Sequence, residues 1–209
     1  IEDISELDKY LWPSPDWFDS SNLCYRIKEL NKKGEKAIIA GNGNVFETSW
    51  YMRGFEKMFY DLALYPDLAY EIMRRVTDFY IAYFTKVLTS AEGLIDIIFT
   101  ADDLGHQEGP LISIPMWEEL IKPHHMRMNK VLHEFGVKIM YHTDGAVMDF
   151  VPGLIDMGID ILEALQFDAV GMDPVKLKSN YGDRLCFHGG ISVQSTLPFG
   201  TPEQVKDEV

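Results

Sequence analysis

The sequence has little cysteine and no long apolar run. Its two cysteines, Cys24 and Cys186, are the only ones in 209 residues and lie far apart. Their number and spacing exclude a disulfide framework and a CxxC motif, and they predict a reducing, cytoplasmic location. No apolar stretch approaches the roughly 20 residues that a transmembrane helix needs, and no signal-peptide pattern is present. We therefore expect a soluble protein without a membrane partner.

Positive charge is also scarce. Lys and Arg number 19 against 33 Asp and Glu, which gives a formal net charge of -14 at pH 7 and a pI of about 4.7. Such a chain repels polyanions, so nucleic acid and anionic membranes are excluded as general partners. Phosphate-binding glycine loops, a GxSxG nucleophile elbow and a reactive-cysteine signature are missing as well. These absences exclude the common nucleotide-binding and covalent-hydrolase classes.

What is present is an alternation of strand-like and helix-like segments. Short apolar segments of strand character lie at 36–41, 94–100, 137–142, 160–165 and 184–188. Helical periodicity fills the intervals, most plainly over 72–88, where apolar residues recur at three- and four-residue steps. Strands followed by helices without hairpin turns indicate parallel pairing with right-handed crossovers. We predict an N-terminal arm and helix over 1–35 and an α/β domain with about five parallel strands over 36–209.

Every predicted strand ends in polar residues. In parallel α/β folds, ligands bind at the carboxyl ends of the strands, so these positions are candidates for a site. In strand order they are Asn42 and Asn44; Asp102, Asp103, His106, Gln107 and Glu108; His142 and Asp144; Gln166; and His188, Gly189 and Gly190. The alternative is that they are helix caps and turn residues, which Asn, Asp and Gly often are. As a functional site, Asn44, Asp103, His142, Gln166 and His188 should line one cavity.

His142 and Asp144 form the strongest pair of candidates. An imidazole and a carboxylate two residues apart at a strand end suit a zinc-like or harder divalent cation. The same pair is also compatible with proton transfer, or with Asp144 capping the following helix. The sequence leaves these three interpretations open. His124 and His125 lie in a helical pattern after Pro123, and we expect them to be solvated or capping residues.

Four motifs follow one another in a specific order. They are DDLGHQEGPLIS at 102–113, IKP at 121–123, HTDG at 142–145 and GDRLCFHGGI at 182–191, with LPFGTPEQV closing at 197–205. In this order they resemble the uroporphyrinogen decarboxylase superfamily, which also contains corrinoid-dependent, zinc-containing methyltransferases. The resemblance runs from about Leu11 to the last residue. It implies a TIM-type (β/α)8 barrel, of which this chain holds a part that is truncated at its C-terminal end.

Two regions of the family have no counterpart in the chain. They are the amino-terminal region with the arginine-rich motif and catalytic aspartate of true decarboxylases, and the segment with the last cysteine ligand of the zinc methyltransferases. Together with a helix start at 201–204 so close to Val209, this predicts an excised fragment that by itself is inactive or incomplete. The open edges of a partial barrel predict self-association, for example as a homodimer, or edges that are covered.

Two departures from the family bear on the activity. The zinc methyltransferases carry His-x-Cys where this chain has HTD at 142–144, which argues against a thiol-activating zinc site. The decarboxylase binds a polycarboxylate macrocycle, whereas the loops here carry acidic residues and no arginine. A negative rim repels such a substrate.

The leading hypothesis is a methyltransferase-like enzyme acting on a small-molecule or tetrapyrrole substrate with a corrinoid (cobalamin) protein as partner. The candidate catalytic residues are His142, Asp103 and Asp102; the candidates for substrate or cofactor binding are Asn44, His106, Gln107, Gln166, His188 and Gly189; and the candidate ligands for zinc or another divalent metal are His142 and Asp144. One alternative is a cofactor-free lyase that decarboxylates a tetrapyrrole. Another is a non-catalytic module that binds a corrinoid protein.

Overall fold

Strands and helices alternate along the chain, and a computed structural model describes residues 3–209. The first two residues of the predicted 1–35 arm lie outside this range. The strands are β1 (Ile39–Asn44), β2 (Ile97–Ala101), β3 (Gly105–His106), β4 (Gly109–Pro110), β5 (Lys138–His142), β6 (Ile161–Ala164) and β7 (Cys186–Gly189). The helices are α1 (Leu23–Leu30), α2 (Val45–Arg53), α3 (Phe55–Leu64), α4 (Pro66–Ala91), α5 (Ile114–Leu120), α6 (Lys122–Glu134), α7 (Val151–Met157), α8 (Pro174–Tyr181), α9 (Thr196–Phe199) and α10 (Pro202–Glu208). Short 3-10 helices span Ile4–Glu6, Pro15–Trp17 and Met148–Phe150.

Five of the strands form one parallel sheet in the order β1-β2-β5-β6-β7. The predicted α/β class and the five parallel strands are confirmed. The register places His142 of β5 opposite Glu163 of β6, and Glu163 opposite His188 of β7. Residues paired in this way in a parallel sheet project from the same face. The sheet therefore brings these three side chains side by side at its carboxyl edge.

The first strand differs most from its prediction, because it starts at Ile39 and includes the Asn-Gly-Asn stretch at 42–44 that was expected to follow it. A bulge between Gly41 and Gly43 lets this stretch pair with β2. A Cβ atom on Gly41 would lie 2.3 Å from the carbonyl oxygen of Phe99, so only glycine fits there. Bulges accept glycines that otherwise indicate a turn. Asn44 consequently ends the strand and immediately precedes α2.

The helix boundaries near Ser113 and Pro123 lie where these two residues predict them. The long helix α4 buries Ile72, Val76 and Leu88 of the predicted apolar stripe. The Ser113 hydroxyl caps α5 by accepting from the backbone N–H of Met116 at 3.3 Å. Pro123 lies in the first turn of α6, which starts after the break that this proline predicts. Within residues 3–209, no helix combines the length and apolar character that a membrane crossing requires.

The expectation that His124 and His125 are solvated is wrong, because both are buried. Helix α6 contacts α4, α7 and β5, and this packing leaves no solvent at the two imidazoles. The His124 ring lies 4.4 Å from the ring of Tyr70. His125 Nε2 is hydrogen-bonded to the carboxylate of Asp102. The two histidines therefore belong to the packing of α6 beneath the strand ends.

Burial of His124 predicts a pH-dependent stability. Desolvation, with repulsion from His125 and nearby arginines, lowers the pKa of His124 from 6.5 to about 3. Below pH 6.5 the unfolded chain binds a proton that the folded chain refuses, so stability is lost as the pH falls from 6.5 towards 3. The free energy of unfolding should therefore fall by about 1.4 kcal/mol for each pH unit because of this side chain. Urea unfolding between pH 7 and pH 4 should show a shallower dependence in His124→Gln than in wild type. Equal slopes would contradict the prediction.

Candidate active site

Three ligand-type side chains converge at the carboxyl ends of β2 and β5. They are Asp103, His142 and Asp144, and one ligand atom from each lies within 4.8 Å of the other two. His142 Nε2 is 3.8 Å from Asp103 Oδ1 and 3.7 Å from Asp144 Oδ1. The side chains are 30%, 34% and 39% exposed for His142, Asp103 and Asp144, so solvent reaches all three. One nitrogen and two carboxylates thus form a donor set that a small ion can enter.

Glu163 fixes the orientation of His142. Its Oε2 accepts a hydrogen bond from Nδ1 of His142. A carboxylate partner requires a proton on Nδ1, which leaves the lone pair of a neutral imidazole on Nε2, the atom that faces Asp103 and Asp144. The second oxygen of Glu163 lies 3.8 Å from Nδ1 of His188. Glu163 therefore links the two histidines of the strand ends and directs the ring nitrogen of one towards the two aspartates.

Backbone contacts hold the loop that carries Asp144. Its N–H donates to Asp103 Oδ1 at 3.0 Å, and the N–H of Gly145 donates to Gln166 Oε1 at 3.0 Å. Gly145 has a φ of +82°, and a Cβ there would lie 2.6 Å from the backbone of Gly105. Only glycine satisfies both constraints. The loops after β2, β5 and β6 are therefore fixed to one another by hydrogen bonds and close packing.

The electrostatic field at this cluster favours positive charge. Burial opposes protonation of His142, but its hydrogen bond to Glu163 and the charges of Asp144, Glu163 and Asp103 outweigh that effect and raise its pKa. Burial raises the pKa of Asp144, and the charges of Asp103 and Glu163 add to it against the attraction of His142. Perturbed pKa values of this kind cluster at functional sites. Three carboxylates around one imidazole make a site suited to a cation.

A cleft of about 580 Å³ opens beside this cluster. Its polar wall consists of His142, Asp144, Glu163, Gln166 and His188. Its apolar wall includes Ala164, Ile191, Val193 and Leu197. Clefts of this volume with a few polar groups against an apolar wall are typical of small-molecule sites.

The predicted site residues are only partly brought together. His142, Gln166, His188 and Gly189 line the cleft, and Asp103 adjoins it through His142 and Asp144. Gln107 contributes indirectly, because its Nε2 donates to Gln166 Oε1 at 2.8 Å.

Two further candidates lie outside the cleft lining. His106 is exposed on the two-residue strand β3. The side chain of Asn44 donates to the Glu47 carboxylate instead. The expectation of one cavity shared by all five strand ends is therefore corrected, because the residue at the end of β1 is held by α2.

Asp102 lies beneath the site rather than in it. Its side chain is fully buried, and it accepts from the backbone N–H groups of Phe46 at 2.9 Å and Glu47 at 2.8 Å as well as from His125. A carboxylate enclosed in this way does not reach a substrate. The prediction of a catalytic Asp102 is corrected accordingly: the residue anchors the start of α2 and the backbone that precedes Asp103.

Two residues of this neighbourhood were not predicted from the sequence, Glu47 and Glu163, and a third, His125, was expected to be solvated or capping but is buried against Asp102. Glu163 carried a signal, since a carboxylate inside the apolar segment 160–165 needs a partner when it is partly buried. Glu47 accepts from the backbone N–H of Asp103 at 3.2 Å, and its pKa is raised by burial and by the charges of Asp102 and Asp103. Glu47 also accepts from the side chain of Asn44, three residues before it, so an Asn and a Glu at this spacing at the start of a helix were its local signal. His125 carried none, because its partner Asp102 is far away along the chain.

The fold and cleft define a class: partial TIM-type barrels whose polar strand ends meet at one edge of a parallel sheet. The sequence model of Uroporphyrinogen decarboxylase (URO-D) matches residues 9–209, and the chain belongs to that family. Among solved structures, a methyltransferase from Methanosarcina mazei is similar, with a TM-score of 0.70 and 19% identity over 87% of this chain and 51% of that chain. The chain thus spans about half the length of that methyltransferase. No curated protein matches it significantly.

These comparisons confirm the superfamily resemblance and the partial barrel. At this level of identity, the likeness to the methyltransferase is a likeness of fold. The family is one of enzymes, so the polar strand ends are the part of this chain where a reaction would take place.

Proposed function

We propose that the chain carries the site of a metal-dependent, methyltransferase-like URO-D enzyme that transfers a methyl group between a small molecule and a corrinoid protein. The observation that carries the proposal is the convergence of Asp103, His142 and Asp144, with Glu163 holding Nδ1 of the histidine. Membership of the family and the fold shared with a methyltransferase support it.

The donor set fits a divalent cation. One imidazole and two carboxylates suit Zn²⁺, Co²⁺ or Mn²⁺, and neither cysteine of the chain lines the cleft. The set differs from a thiolate-rich zinc site by its oxygen ligands. A divalent cation bound here would stabilise the electron pair left on the heteroatom when the methyl group departs.

The protein groups around this donor set orient the histidine, bind the substrate and exclude water from the cleft. Glu163 accepts from Nδ1 of His142, so that in the neutral imidazole the lone pair on Nε2 faces the aspartates. The apolar residues Ile191, Val193 and Leu197 also line the cleft, so a substrate bound against them displaces water from the cleft. The flat tetrapyrrole of a corrinoid protein would be presented at the mouth of the cleft.

The negative charge of the cleft lining favours this proposal over the decarboxylase alternative. Within residues 3–209 the cleft is lined by two carboxylates and by no arginine or lysine, with Asp103 adjoining it as a third acid. Such a wall repels the polycarboxylate tetrapyrroles that a decarboxylase of this family must bind. A neutral or cationic methyl donor meets no such repulsion.

A metal titration with an activity assay tests the proposal. Calorimetric titration of the chelator-treated protein with Zn²⁺ and Mn²⁺ should show one site, with Mg²⁺ as the comparison ion. Methyl transfer from a panel of methylated donors to free cob(I)alamin, followed by the visible spectrum of methylcobalamin, should stop with EDTA and resume with the metal.

Two other outcomes would favour the alternatives. Carbon dioxide release from uroporphyrinogen by metal-free protein would favour the decarboxylase. Absence of both metal binding and turnover, with retained binding of a corrinoid protein, would favour the non-catalytic module.

A further inference from the structure

The side-chain amide of Gln166 has a fixed orientation at the cleft wall. Its Oε1 accepts from the backbone N–H of Gly145 at 3.0 Å and from Gln107 Nε2 at 2.8 Å. A backbone N–H is always a donor, so the atom facing Gly145 must be the oxygen. Both acceptor positions of the oxygen are then occupied. The Nε2 donors of Gln166 have no protein partner within the described residues, and the residue lines the cleft.

The backbone before Gln166 adopts a rare conformation that supports this orientation. Ala164 and Leu165 have positive φ values of 97° and 52°, which non-glycine residues seldom adopt. The carbonyl oxygen of Ala164 accepts from the N–H of Gly190 at 3.3 Å, and a Cβ on Gly189 would lie 2.6 Å from that oxygen. Strain of this kind persists where the surroundings enforce it, and it concentrates at ligand sites. Here the two positive φ values turn the chain at the end of β6, and Gln166, the next residue, lines the cleft.

We propose that Gln166 donates from Nε2 to an uncharged acceptor oxygen of the substrate, so that the cleft selects small molecules with an apolar body and a carbonyl-type oxygen. The apolar wall of Ile191, Val193 and Leu197 receives the body. A carboxylate is disfavoured as the acceptor because Asp144 and Glu163 line the same cleft. The inference rests on the proposed function only in placing the reacting group beside Asp103, His142 and Asp144. Gln107 then acts as a positioning residue for Gln166.

A pair of fluorinated probes tests the donor role. The probes are 4-fluoroacetophenone and 4-fluoro-α-methylstyrene, which have similar shapes. The first carries a C=O group where the second carries a C=CH2 group, so only the first can accept a hydrogen bond at that position. Binding is followed by ¹⁹F line broadening in metal-free protein. Wild type should bind the ketone about 3- to 10-fold more tightly than the alkene, as expected for one net hydrogen bond.

The variant Gln166→Glu separates donation from positioning. A glutamate still accepts from Gly145 and Gln107 but presents no N–H, so the ketone preference should disappear or reverse while alkene binding changes less than about twofold. Gln107→Met should weaken the preference without abolishing it. Glu108→Gln, an exposed change in the neighbouring hairpin, should leave both affinities unchanged. An unchanged preference in Gln166→Glu would overturn the proposal, as would equal binding of both probes by wild type.

Repeating the titrations with Zn²⁺ distinguishes this inference from the proposed function. A ketone preference in metal-free protein that depends on Gln166 supports the inference, even if the cation fails to bind and the proposed function falls. A preference that appears only with Zn²⁺ and survives Gln166→Glu assigns the oxygen to the cation and overturns the inference.

Discussion

Replacing His142 with alanine is expected to lower the affinity for a divalent cation by at least about 100-fold and to remove methyl transfer with it. His142 supplies the only nitrogen of the donor set, and its Nε2 lies 3.8 Å and 3.7 Å from the two aspartates. Loss of a residue that merely orients a ligand already costs about 10- to 100-fold, so loss of the ligand itself costs more. The fold should persist, because the side chain is partly exposed at a strand end.

Two companion variants make the result specific. Glu163→Gln keeps an acceptor for Nδ1 but removes its charge, so cation affinity should fall by about 10- to 100-fold. His106→Ala removes an exposed imidazole outside the cleft and should change neither metal content nor turnover. The measurements are calorimetric titration and methylcobalamin formation.

The same variants discriminate the other interpretations of His142. If His142→Ala retained its metal but lost turnover together with an inflection in the pH–rate profile, the His142–Asp144 pair would be a proton-transfer couple. Unchanged metal content and turnover would leave Asp144 as a cap and defeat both functional interpretations.

Replacing Asp102 with alanine is expected to lower the free energy of unfolding by about 3–5 kcal/mol. The substitution leaves three buried donors without their acceptor: the N–H groups of Phe46 and Glu47 and the imidazole of His125. Each unpaired buried donor costs about 1–3 kcal/mol. Because single domains are stable by only about 5–15 kcal/mol, the loss is a large part of the total.

Urea unfolding at neutral pH measures this effect. Asp102→Asn keeps an oxygen acceptor and should be less destabilised than Asp102→Ala. Asp207→Asn, an exposed change on α10, should stay within about 0.5 kcal/mol of wild type. A loss below 1 kcal/mol in Asp102→Ala would show that the buried carboxylate does not hold α2 in place.

The fold class could be predicted from the sequence because each apolar strand segment is short and the helices between them carry local signals, such as an apolar stripe, a capping serine or a proline in the first turn. Ser113, Pro123 and the apolar stripe of α4 act locally, so their effect does not depend on the rest of the chain. The cluster of Asp103, His142 and Asp144 could also be predicted, since the carboxyl ends of adjacent parallel strands lie at one edge of a sheet.

The orientation of side chains beyond the strand ends could not be predicted. Asp102 and Asp103 are adjacent in sequence, yet the first is enclosed by α2 and α6 while the second faces the cluster. Which of them is buried depends on how helices from distant parts of the chain pack over the strand. The bulge in β1 likewise extends the strand to Asn44, and it depends on pairing with β2 that no local pattern encodes.

The loop carrying Asp144 is held by contacts that do not involve its carboxylate. The backbone N–H groups of residues 144, 145 and 146 bond to Asp103, Gln166 and the carbonyl of His106, and Gly145 packs on the backbone of Gly105. The course of the loop is therefore independent of the donor atom it presents. A substitution at position 144 would therefore change the donor atom while leaving the backbone that presents it in place. Diversification of the chemistry at this edge of the barrel requires no rebuilding of the scaffold.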